Sequence, residues 1–212
     1  MKNTSVADGS IEQLLGLAVR HFNVGQPERA RLLCEHAAHA YPPHPAVLQL
    51  LATLDLQQGE PQRARAQAAA SLGMRPDHLP TLLLLATAAR AESEPAAAAA
   101  ALQRIVALAP DQVEAWFQLA LARHDLNQLD AAADALRSVL RLAPERADAE
   151  VNLGIVLQES GRIDEAMSAY GRAYRLREDT FGRIAHALST ANVGRLWLRL
   201  ADLRASLSTI TA

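Results

Sequence analysis

Residues able to do chemistry are present in this chain, but their spacing completes no reactive site. His36 and His39 stand three apart, with Glu35 ahead of them. This is not the H-E-x-x-H arrangement that offers two imidazoles to zinc, and no third ligand follows at a recognisable distance. His124 and Asp125 are adjacent. On a helix they diverge, whereas a base and the acid that orients it must converge. Gly154 and Gly161 do not open a strand-to-helix turn, so they make no phosphate cradle. Cys34 is the single cysteine. It has no disulfide partner within the chain and reads as a small buried residue. The expectation is a protein without catalytic residues, metal ligands or cofactor.

The elements that hold these residues are helices, and they repeat. Between Val113 and Arg146, the residues Trp116, Leu119, Ala120 and Arg123 form one face of a first helix. Ala132, Leu136, Val139 and Leu140 form the stripe of a second. Asn127 suits the left-handed turn between them, and Pro144 stops the second helix. Proline recurs at Pro42, Pro76, Pro110 and Pro144, each 34 residues after the last. Alanine keeps the same spacing at Ala30, Ala64, Ala98, Ala132 and Ala166, and the turn position reads Gly25, Gly59, Ser93, Asn127 and Gly161. Two short helices bury too little alone, so such a unit needs neighbours of its own kind.

These residues resemble the tetratricopeptide repeat (TPR) family. Its signature positions read Trp116, Leu119, Ala120, Arg123, Ala132, Leu136, Val139 and Pro144 in one unit. In the next they read Glu150, Leu153, Gly154, Leu157, Ala166, Tyr170, Ala173 and Glu178, without the final proline. The resemblance implies an all-α, right-handed α-solenoid of TPR helical hairpins. The expected repeats are residues 11–44, 45–78, 79–112, 113–146 and 147–180, after a flexible stretch at 1–10 and before capping helices over 181–212. Helices are expected at about 11–23 and 28–40, with Ser10 as N-cap and Pro27 in a first turn. Beyond Arg177 the pattern supports an A-type helix over Phe181–Ala191 and a last helix over Arg195–Leu207, with Trp197 as an alternative docking anchor.

In TPR proteins the first helix of each hairpin leaves an inner stripe facing the concave side. By resemblance that stripe includes Leu50 and Thr53, then Leu83, Leu84, Thr87 and Arg90, then Phe117, Gln118, Leu121 and His124, and finally Asn152. Core packing does not require the apolar line through Leu50, Leu83, Leu84, Phe117 and Leu121, and a contiguous apolar patch marks an interaction surface. Glu114, Asp125, Asp148 and Glu159 make one end of the rim acidic. The expected occupant is an apolar peptide segment or helix with basic flanks. The basic clamp by which some relatives grip a carboxylate terminus is absent; of its residue types only Asn152 is in place.

Composition narrows the partner. A net charge of −2 gives no general pull toward nucleic acid or anionic lipid. No apolar run approaches the roughly 20 residues of a membrane span. The N-terminal MKNTSVADGS has one early positive charge and no following apolar run, so a cytoplasmic location is expected. Lys2 is the only lysine, and this arginine bias points to a bacterial source. Residues 161–204 hold eight arginines against five acids, and 111–160 hold four against nine, a polarity that allows two copies to stack. The reading is a non-catalytic interaction adaptor. Its alternatives are a chaperone for secreted cargo and an accessory subunit of a separately encoded transferase.

Overall fold

A computed structural model of the chain describes residues 10–190 and 200–209. These residues are helical, with no strand among them. The helices are α1 (Ile11–Asn23), α2 (Pro27–Ala40), α3 (Pro45–Gln57), α4 (Pro61–Met74), α5 (Leu79–Ala91), α6 (Pro95–Leu108), α7 (Val113–Asp125), α8 (Leu129–Leu142), α9 (Ala147–Glu159), α10 (Ile163–Leu176), α11 (Phe181–Thr190) and α12 (Leu200–Thr209). A short 3₁₀ turn at Glu178–Thr180 precedes α11. Ala191, Arg195, Leu196 and Trp197, which the sequence pattern assigns to the C-terminal helices, lie outside the described residues.

The hairpin turns share one backbone state. Gly25, Gly59, Ser93, Asn127 and Gly161 have φ of +73, +75, +58, +56 and +78°. Glycine adopts that region freely, and serine and asparagine are short enough to be tolerated there. Helix starts are equally local. Ser10 and Gln13 form a capping box on α1, each side chain bonded to the other's backbone N–H. Pro27, Pro45, Pro61 and Pro80 sit in the first turn of α2 to α5, where a missing N–H costs nothing.

The chain divides into two compact units, residues 1–104 and 105–212. In the first, α1 packs on α2, α3 on α4, and α4 on α5. Its close contacts are made by alanine: Ala18, Ala30, Ala52, Ala64 and Ala98 are fully buried. Cys34 is buried among Leu14, Ala37 and Val47, and burial pushes its thiol up to about 11. Two ion pairs lock successive hairpins. Arg31 of α2 meets the wholly buried Asp55 of α3 at 2.8 Å, and Arg65 of α4 meets Glu92, just past α5, at 2.8 Å.

In the second unit α7 packs on α8, α8 on α9, α9 on α10, and α10 on α12. Its core is bulkier, with Leu119, Leu136, Val139, Leu153, Tyr170 and Ile184 buried. Leu203 and Leu207 of α12 join that core. Trp116 ties the preceding loop by donating from Nε1 to the carbonyl of Pro110 at 2.9 Å. Arg172 of α10 grips Glu150 of α9 through two bonds of 2.7 and 3.0 Å. Among the described residues no helix is long and apolar enough to cross a membrane.

Candidate interaction surface

In the first unit the expected surface lies on α3 and α5. Leu50, Thr53 and Leu84 are half-buried, while Leu83, Thr87 and Arg90 are exposed. Leu83, at 52 % exposure, is the most open leucine of the set. The two threonines do not make it polar. Thr53 donates to the carbonyl of Gln49 at 3.0 Å and Thr87 to that of Leu83 at 2.8 Å. With each hydroxyl bonded to its own helix, neither needs a partner from outside. Val19, on α1, is 40 % exposed. A surface of leucine and threonine side chains therefore remains open, supported by the Arg31–Asp55 and Arg65–Glu92 pairs that fix α3 and α5.

In the second unit the surface lies on α7 and α9, and it departs from expectation at one end. The register places Phe117 among the open residues, but it is 9 % exposed. The guanidinium of Arg146, the N-cap residue of α9, lies 4.0 Å above its ring. Arg146 is held there by Glu114 at 3.0 Å and Asp148 at 3.1 Å. Partial burial works against the arginine's charge, but the bonds to Asp148 and Glu114 together outweigh it and raise its pKa. A cation over an aromatic face and between two carboxylates is well satisfied, so it seals the phenylalanine. Val151 and Gln158, at the stripe positions of α9 that the same resemblance gives, are also buried. Gln158 accepts from the Tyr170 hydroxyl at 2.8 Å and donates to the carbonyl of Ala187 on α11 at 3.4 Å.

The other end is open. Gln118, Leu121, His124 and Asn152 are half-buried, as is Ile155. Gln118 donates to Glu114 at 2.6 Å. Asn152 accepts from Arg183 of α11 at 3.2 Å. His124 pairs not with its neighbour Asp125 but with Glu159 of α9, Nε2 to Oε2 at 2.6 Å. Each of the two has a place on the inner stripe, but their contact depends on the angle between α7 and α9, which no spacing in the sequence gives. Between these helices is a small pocket of about 50 Å³, lined by Ala120, Leu121, His124, Leu136, Asn152, Ile155 and Val156.

His36 is half-buried and His39 exposed on α2. Among the described residues no group of three His, Cys, Asp or Glu is placed to hold a metal ion.

Three family models described as tetratricopeptide repeat match residues 50–113, 84–152 and 124–188. No match was found among the curated proteins. Solved structures are similar at the level of the fold. One is the crystal structure of YrrB, described as a TPR protein with an unusual peptide-binding site, with 21 % identity over 82 % of this chain and 89 % of that one, at a TM-score of 0.77. Another is a crystal structure of MamA, with 20 % identity over 80 % of this chain and 93 % of the other, at a TM-score of 0.72. A MamA double mutant covers 97 % of its own length at 21 % identity and a TM-score of 0.72. The turns at Gly59, Ser93, Asn127 and Gly161 fall within residues 50–188, which the three overlapping family matches span, and the chain belongs to the tetratricopeptide repeat family.

Proposed function

We propose that this chain is a non-catalytic adaptor that holds an apolar peptide segment or helix of a partner protein on the inner faces of its A-type helices. The observation that carries this is the open leucine and threonine surface on α3 and α5. Leu83 is 52 % exposed in the middle of a helix, and the hydroxyls of Thr53 and Thr87 are internally satisfied. Exposed apolar area of this kind is retained where something covers it. The peptide-binding site ascribed to YrrB supports the reading by analogy of fold. The proposed setting is the bacterial cytoplasm, and the arginine bias supports the bacterial part.

The test is partner capture by the full chain against two single variants. Leu83→Asp places a charge on the proposed surface. Leu32→Asp places one at a 66 % exposed leucine on α2, away from it. Both substitutions are at open positions, so both variants should keep their helicity and thermal midpoint. Loss of capture by the first alone supports the proposal, and equal capture by all three chains overturns it.

A further inference from the structure

We infer that the second unit selects a segment in which a small aliphatic residue lies next to basic residues. This rests on the peptide reading above and adds the chemistry of the partner. The pocket between α7 and α9 is lined by the half-buried Leu121 and Ile155 and the buried Leu136, together with His124 and Asn152, both half-buried. At about 50 Å³ it has room for a few water-sized groups. That accommodates a branched aliphatic tip.

Charge decides what flanks that tip. At one end of the wall Arg146 lies between Glu114 and Asp148, one cation against two carboxylates. At the other end Asp125 is the last residue of α7 and Glu159 the last of α9. A helix C-terminus carries partial negative charge from its unpaired carbonyls, so a cation is the stabilising choice there and a carboxylate is not. Both helices end on a carboxylate, and the last turn of α7 also carries Arg123 and His124 while that of α9 carries no cation. His124 bonds Glu159 and not Asp125. Arg183 bonds Asn152, a residue of the pocket lining. A lysine or arginine beside the aliphatic residue therefore meets carboxylates at Asp125 and Glu159, both exposed.

The test is fluorescence anisotropy with two short labelled peptides, one alternating leucine with lysine and the other alternating leucine with glutamate. The native chain should bind the lysine peptide about tenfold more tightly, which is what two solvent-exposed ion pairs supply. Added salt should erode that preference. An Asp125→Asn, Glu159→Gln double variant, altered only at exposed positions, should bind the two peptides alike. Equal binding of both peptides by the native chain overturns the charge selection and leaves peptide binding standing. So does a preference that survives in the double variant. Binding of neither peptide overturns both readings.

Discussion

The ring of Tyr170 on α10 lies so close to Gly154 on α9 that a β-carbon on the glycine would sit 2.3 Å from Cε1. The tyrosine is wholly buried, so the ring cannot swing away. Gly154→Ala should therefore destabilise the second unit by about 1–3 kcal/mol, the usual cost of overpacking. The same substitution should be neutral or stabilising in a Tyr170→Leu background, where an alanine is simply the better helix former. Urea denaturation of the four chains checks this, and additive effects would show that the contact is not the cause.

The Tyr170 hydroxyl donates to Gln158 at 2.8 Å. Tyr170→Phe removes a buried hydrogen bond and should cost about 0.5–1.5 kcal/mol. Its loss should also change the alkaline limb of stability. Burial, with a smaller contribution from the Glu159 charge, raises the tyrosine's pKa. Burial likewise raises Cys34 from 9.0 to about 11. Both groups stay protonated in the folded chain at pH values where the unfolded chain releases its protons. Stability is then full below pH 9 and falls as the pH climbs toward 11. Denaturation midpoints across that range should decline less steeply in Cys34→Ala and in Tyr170→Phe than in the native chain. An unchanged slope in both would exclude these groups as its source.

Arg31 and Asp55 touch at 2.8 Å, yet the guanidinium nitrogens and both carboxylate oxygens are buried without an aligned hydrogen bond. Such a pair is held by charge alone. Asp55→Ala, which strands the arginine, should cost about 3–5 kcal/mol, while an Arg31→Met, Asp55→Leu double variant should recover most or all of it. Arg31→Met alone should cost a comparable amount, because each charge keeps one distant partner, Glu35 at 3.9 Å from Arg31 and Arg63 at 3.9 Å from Asp55. Thermal unfolding of the three variants measures this. A double variant as unstable as Asp55→Ala would show that the pair is a favourable bond in its own right.

The parts of this fold that are legible in the sequence are those fixed by local rules. Gly59 and Asn127 mark turns because of the φ they adopt, and Pro27 and Pro45 mark helix starts because of the N–H they lack. The 34-residue period carries those rules along the chain. The surface is legible only as a set of positions. Leu83 is open as its register implies. Phe117 shares that register and is closed, because Arg146 reaches it from the loop that starts the next hairpin. Gln158 and Val151 are buried in the same stripe, and Gln158 bonds the backbone of α11. His124 pairs with Glu159 and not with Asp125. Each of these outcomes depends on how neighbouring hairpins meet, and periodicity carries no information about that.

The most direct measurement is photo-crosslinking of the captured partner from a benzoylphenylalanine placed singly at Leu83, Leu121, Leu32 or Leu142. The first two positions are on α5 and α7 at the proposed surface, and the last two are on α2 and α8 away from it. Crosslinks from Leu83 and Leu121 but not from Leu32 or Leu142 are the expected result. Crosslinks from Leu32 and Leu142 alone would contradict the claim that the inner faces hold the partner.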